Sequence, residues 1–213
     1  MTDPKRKYYE KRANVLIKNL HSRHFEACYC ADKAEALKKA LEWIPAGSSV
    51  GWGGAMSAQQ IGLLDTVRTG DYRALDRERA ATPEERKAIM KQCLGADVFI
   101  TGANALSLDG QMVNIDGNGN RVASSLYGHK KVWFIVGRNK LAPTYEEALW
   151  RARNIAAPKN AQRLGRKTPC AVHGDRCYDC KSPERICRGL VVLWEAVANM
   201  EMEVVLIDQD LGY

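Results

Sequence analysis

The chain has 213 residues, 46% of them hydrophobic and 27% charged, with a net charge of +7. That length supports a sizeable core, and the composition is globular rather than disordered or collagen-like. No run approaches the roughly 18 apolar residues of a membrane span, and MTDPKRKYYEKR has no apolar signal region, so a cytoplasmic protein without a membrane partner is expected.

The positive charge is local. Between Arg151 and Leu190 stand ten basic residues and three acidic ones, a difference of +7 that leaves the rest of the chain neutral. Such a window points to an anionic ligand, an acidic partner or a compensated thiolate cluster. Aromatics are not interleaved with the basic residues, as stacking on single strands would need, so nucleic acid is not the expected partner.

In chain order, Lys5 to Leu20 reads as an amphipathic helix within an N-terminal segment 1–24, and FEACYCA (25–31) as a short strand. DKAEALKKALEWI (32–44) is helical, and SSVGWGG (48–54) is a strand running into glycines. SAQQIGLLDTV (57–67) reads as one helix capped by Ser57. TPEERKAIMKQCL (82–94) carries a capping box, with Thr82 as cap, Pro83 at the first helical position and Glu85 three residues past the cap.

DVFITG (97–102) and KKVWFIVG (130–137) are continuous apolar strands of the kind buried on both faces. TYEEALWRARNIA (144–156) is a helix capped by Thr144, GLVVLWEAVAN (189–199) is read as helical, and EVVLID (203–208) closes the chain as a strand. This alternation predicts an α/β fold: a mostly parallel sheet with helices on both faces, in one domain over 1–213, carrying a basic, cysteine-containing loop at 157–188.

The stretch GANALSLDGQMVNIDGNGN (102–120) is the most informative, ten of its nineteen residues being Gly, Asn or Asp. Asp109-Gly110 suits the turn of a hairpin whose core contacts are Leu106, Leu108, Met112 and Ile115. In NIDGNGNR, Gly117 and Gly119 leave backbone amides unshielded ahead of a helix start, a ready anion site, while Asn114, Asp116, Asn118 and Asn120 can orient a polar ligand. The same construction occurs at Gly51, Gly53 and Gly54, and Gly102-Ala103-Asn104 follows a third strand. Turns after strands of one parallel sheet open at its carboxyl edge, where α/β folds bind ligands. The expected ligand-binding set is therefore Gly51, Gly53, Gly54, Gly102, Asn104, Asn114, Gly117, Gly119, Asn120 and Arg121, with Asp116 as the candidate catalytic carboxylate and Trp52 as a candidate pocket wall.

GANALSLDGQMVNIDGNGNRVASSLYGHKKVWFIVGRNKL, followed by AAPKNAQRL and TPCAVHGDRCYDCKSPERICR, resembles the LUD (lactate-utilisation) domain family, in particular its single-domain members with a cysteine-bearing end. The resemblance implies a fold related to ribose-5-phosphate isomerase and the CoA-transferases, in a group linked to growth on lactate. It implies a pocket for a small carboxylate, sugar phosphate or CoA-like ligand, and redox proteins of lactate oxidation as partners. It leaves open whether the chain is an enzyme. No counterpart to the CoA-transferases' nucleophilic glutamate is visible, so thioester exchange is not expected.

Cys170, Cys177, Cys180 and Cys187 form a C-x6-C-x2-C-x6-C pattern, and four thiolates suit tetrahedral zinc or an iron–sulfur cluster. Arg176, Lys181, Arg185 and Arg188 would offset its charge. The alternative is four thiols without metal. A metal-bearing cluster would make the chain a redox accessory protein, the rival to the anion-pocket reading. Cys28, Cys30 and Cys93 read as core, His21 and His24 as surface, Trp133 and Trp150 as core, and His129 as a residue that could reach the site edge.

Overall fold

The computed structural model describes residues 4–213; the first three residues of the expected N-terminal segment lie outside them. Six strands form one all-parallel sheet in the order β1-β10-β7-β4-β2-β3. They are β1 (Glu26–Cys30), β2 (Ser49–Gly53), β3 (Arg73–Leu75), β4 (Val98–Thr101), β7 (Lys131–Gly137) and β10 (Glu201–Ile207). Central strands β4 and β7 are buried almost throughout because both faces are covered, which is why their sequences read as apolar runs without alternation.

The two faces separate by period-two geometry. Trp133 and Ile135 of β7 point into one core with Ala36, Ala40, Leu63, Leu64 and Val67. Val132, Phe134 and Val136 point into the other with Leu16, Leu20 and Phe99. The first core is covered by α2 (Lys33–Trp43), α3 (Met56–Gln60) and α4 (Leu63–Thr69), and the second by α1 (Pro4–Ser22) and α5 (Pro83–Cys93). Burying a side chain such as Phe99 or Phe134 contributes about 2–3 kcal/mol, so the two cores hold the sheet rigid beneath whatever sits on its edge.

The fold class read from the sequence is what the chain adopts: an α/β architecture with a parallel sheet and helices on both faces. Several elements differ in detail. The helix expected over 57–67 is two helices, broken where Gly62 takes a left-handed φ of +81°. Ser57 lies inside α3, buried, and caps nothing; α3 starts at Ala55 without a side-chain cap. By contrast Thr82 accepts a hydrogen bond from the Glu85 amide, and Thr144 makes a full capping box with Glu147 at α7 (Tyr145–Arg151).

A second, four-stranded sheet has the order β8-β5-β6-β9, formed by β5 (Ala105–Ser107), β6 (Met112–Asp116), β8 (Leu141–Ala142) and β9 (Gly189–Leu193). β5 and β6 are the hairpin expected around Asp109-Gly110, closed by the Gly110 amide donating to the Ser107 carbonyl with Gly110 at φ +91°. β9 overturns the helix expected over 189–199. Val191 and Val192 suit a pleated surface, and the strand pairs antiparallel along all of β6, from Met112 opposite Leu193 to Asp116 opposite Gly189.

The segment expected as a loop over 157–188 begins with α8 (Ala157–Arg163) and includes α9 (Pro169–His173). α8 continues from α7 through a π-helical turn, Ala152–Ala156. The turn lies where Pro158 takes away the amide that an α-helical register would direct at the Asn154 carbonyl, so the widened register absorbs the proline without ending the rod.

Candidate functional site

Strands β2, β4 and β7 are adjacent and parallel, so the turns after them open on one edge. Those turns are Gly53-Gly54, Gly102-Ala103 and the 3-10 turn Arg138–Lys140. The hairpin sheet rises from the same edge, since β5 follows β4 after three residues. Between them lies a cavity of about 430 Å³, closed on its outer side by α8 and by residues 183–188. This is the size range of small-molecule sites. Among the described residues, eight Arg or Lys side chains and two carboxylates, Asp116 and Glu184, line it.

Of the residues expected to bind a ligand, Gly54, Asn104, Asp116, Gly117, Asn120 and Arg121 reach this cavity. Gly51, Gly53, Gly102, Asn114 and Gly119 are not part of its wall. The glycines here mainly make room for protein atoms. A Cβ at Gly51 would stand 3.0 Å from the Cys93 sulfur, and one at Gly54, which is held at φ +59°, 2.7 Å from Arg121 Cδ. Gly117 lets the backbone approach the Ile186 carbonyl, where a Cβ would come within 2.8 Å.

The amides expected to receive an external anion already hold an internal one. Asp116 Oδ1 accepts from the Asn118 amide at 3.1 Å, and Oδ2 accepts from the Arg121 and Val122 amides at 3.1 and 3.2 Å. The carboxylate thus caps the short helix α6 (Asn120–Ser124), whose N-cap Gly119 has no side chain to do so.

Arg121 is only 9% exposed; its Nε stands 3.8 Å from Asp116 Oδ2, and its two terminal nitrogens are engaged by neutral acceptors. Its Nη1 donates to Asn114 Oδ1 at 2.6 Å and to the Gly102 carbonyl at 3.2 Å; its Nη2 donates to Asn104 Oδ1 at 2.9 Å and to the Ile115 carbonyl. The planar guanidinium therefore ties the end of β4 to β6. Asn104 and Asn114 serve this tie and the hairpin backbone: the Ile115 amide donates to Asn104 Oδ1.

Lys140, not anticipated from the sequence, faces the cavity. It is 4% exposed, and its one hydrogen bond donates to Ser57 Oγ at 3.0 Å. Among the described residues it has no ion pair. Burial, reinforced by Arg151 and Arg121, lowers its pKa to about 7. Arg151, another buried cation, donates to the Asn139 carbonyl at 2.8 Å and to the carbonyls of Asn104 and Tyr213, and burial lowers it to about 10. Lys140 follows β7 just as the glycine turns follow their strands. Yet nothing local marks a lysine in a short Arg-Asn-Lys turn as buried, because distant residues cover it.

Of the four cysteines of the basic segment, Cys177, Cys180 and Cys187 lie near one another and Cys170 stands apart on α9. Cys177 and Cys180 lie near enough to Cys187 to raise its pKa slightly on top of the larger effect of burial, with Arg185 opposing. Cys170 sits on α9 with its sulfur 3.3 Å from Thr168 Oγ1. Among the described residues no group of three or more His, Cys, Asp or Glu side chains stands close enough to hold a metal ion. The Cys177 amide donates to Asn154 Oδ1, which tethers this segment to the π-helical turn.

Other expectations resolve plainly. Trp52 does not line the cavity; its ring belongs to the core on one sheet face, with Arg68 above it at 5.4 Å. Trp133 is core, whereas Trp150 is 59% exposed, since Ala148 of α7 and Ala152 of the π-helical turn face inward instead. His129 is buried near the opposite edge, where the Ala96 carbonyl meets its Nδ1 at 2.8 Å and its ring stacks on Phe99. Cys30 and Cys93 are buried, Cys28 is half-buried, and His21 and His24 are exposed.

Fold and site together define an α/β protein whose parallel sheet opens, at its carboxyl edge, onto a cavity walled by cations. A family model for the LUD domain matches residues 13–207, and the chain belongs to that family. A DUF162 family protein from Deinococcus radiodurans aligns over 93% of this chain and 98% of its own, with a TM-score of 0.54 and 13% identity, a likeness of fold. Ribose 5 phosphate isomerase A from Neisseria gonorrhoeae aligns over 53% of this chain and 54% of its own, with a TM-score of 0.35 and 18% identity. None of the curated proteins compared with the chain matches it. Among the described residues, no helix is long and apolar enough to cross a membrane.

Proposed function

We propose that the cavity binds a small anionic metabolite, with its negative group set among Lys140 and the arginines of the outer wall. On this reading the chain is a lactate-utilisation-type protein acting on carboxylate metabolism. The observation that carries it is Lys140, a cation withdrawn from water beside two further cations with only a neutral hydroxyl as partner. Such a group is costly unless an anion arrives to compensate it. A volume of about 430 Å³ suits a hydroxy acid, an oxo acid or a sugar phosphate, whereas a CoA ester would place only its acyl end inside. The arginines of the basic window support this: Arg163, Arg166, Arg185 and Arg188 all line the cavity.

Calorimetric titration with hydroxy acids, oxo acids, sugar phosphates and CoA esters tests the proposal. At least one class should bind, more weakly as salt rises, and Lys140→Met should weaken it about tenfold or more, equivalent to about 1.4 kcal/mol. No binding by any class would overturn it.

A second reading, a redox accessory protein docking through its thiol segment, draws on Cys177, Cys180 and Cys187 sharing one segment beside Arg153 and Arg185. Its test is anaerobic purification. Visible absorbance that Cys180→Ser removes would support it, and a colourless, zinc-free protein would defeat it.

A further inference from the structure

We propose that Lys140 is a carbonyl-capturing amine: its ε-nitrogen forms an imine with an aldehyde or ketone that also carries a carboxylate or phosphate. The proposal rests on the anion reading above and adds a chemical step to it.

Three observations point here. First, among the described residues lining the cavity there is no Cys, His, Ser or Thr side chain, and Lys140 is the one primary amine, the Tyr213 phenol being the one hydroxyl. Asp116 is tied to three amides and is not free to act as a base. Second, glycines let the backbone pack close around the nitrogen, which seats it at the inner wall of the cavity. A Cβ on Gly102 would come within 3.4 Å of Lys140 Nζ, and one on Gly212, held at φ +61°, within 3.0 Å of both Nζ and Ser57 Oγ. A side chain at Gly212 would crowd both the amine and its Ser57 partner. Third, the nitrogen has no carboxylate to hold its proton, and its burial beside Arg121 and Arg151 leaves a large neutral fraction near pH 7. A neutral, desolvated amine among fixed cations is the activated form of a lysine nucleophile.

The step balances without any oxidant or reductant. The nitrogen lone pair attacks the carbonyl carbon, forming a C–N bond while the C=O π pair moves to oxygen. A proton passes from nitrogen to that oxygen, with the Ser57 hydroxyl placed to relay it. The second N–H proton then passes to the hydroxyl as the C–O bond breaks, releasing water and leaving the C=N bond of the neutral imine. The cationic wall holds the acid group, which selects carbonyl compounds that are also anions over neutral ones.

Reductive trapping tests this on the intact chain. The protein is incubated near pH 7.5 with pyruvate, glyoxylate or dihydroxyacetone phosphate, each with sodium cyanoborohydride, and the adducts are located by peptide mass mapping. The first two probes and the third distinguish a carboxylate from a phosphate substrate. Expected is one reduced adduct on the peptide bearing Lys140, at least tenfold above exposed Lys130 and above the yield with acetone; Lys140→Arg should lose it. Adducts spread over surface lysines without enrichment at Lys140, or equal yield with acetone, would overturn the proposal. Calorimetry on the same sample separates the two claims. Anion binding without an adduct overturns only the imine, and absence of both overturns the anion pocket as well.

Discussion

Arg121 and Lys140 are both buried cations on the carboxyl edge of one sheet, and their surroundings are opposites. Arg121 meets two carbonyls and two side-chain amide oxygens, while Lys140 meets a single hydroxyl. The first arrangement is a closed network in which every partner is supplied by the chain, and its consequence is rigidity. The second leaves the ammonium without a compensating charge. On the proposed reading, the NIDGNGNR turn serves structure and the turn bearing Lys140 meets the ligand.

Breaking the closed network should have the largest effect. Arg121→Leu removes a donor from four acceptors, of which Asn104 and Asn114 each keep one backbone amide, and should cost about 3–5 kcal/mol in denaturant unfolding. Arg121→Lys should recover little of this, because an ammonium cannot span the fork. A loss below about 1 kcal/mol would mean the tie between β4 and β6 is not structural.

The pH dependence of Lys140 sharpens the other side. Its pKa falls from 10.5 unfolded to about 7 folded, by burial first and then by Arg151 and Arg121. Between those values the unfolded chain binds more protons, so stability rises with pH and the full penalty applies below pH 7. Relative to Lys140→Met, the wild type should gain about 3 kcal/mol between pH 7 and 9.5. An anion that binds the ammonium should reduce that slope.

The smallest effect expected is at Asp116. Asp116→Asn keeps one acceptor for the α6 amides but removes the charge beside Arg121, and should cost about 1–2 kcal/mol, leaving anion affinity within twofold. A large loss of binding without loss of stability would return Asp116 to a role on the ligand.

The sheet was legible because its strands write their burial into sequence: VFIT and VWFIV are apolar without alternation, and Thr82 and Thr144 cap as their spacing requires. The Asp-Gly hairpin was legible for the same local reason. GLVVLWEAVAN was misread since its strand character depends on a partner, β6, more than seventy residues earlier. That the glycine turns open on one edge of the sheet was legible, whereas the partners of the groups within them were not. A carboxylate near freed amides reads alike whether it guides a ligand or takes the ligand's place. Lys140 was hidden by sequence distance: Ser57 and Gly212, which enclose its nitrogen, lie 83 and 72 positions away.

Titration of the lysine side chains by NMR, using ε-¹³C-labelled protein with Lys140→Met to assign the signal, tests the central claim most directly. One lysine, Lys140, should titrate near pH 7 in the free protein and move upward when an anion fills the cavity. An ordinary midpoint near 10.4, unmoved by any ligand, would show the amine to be solvated and the site to be no site at all.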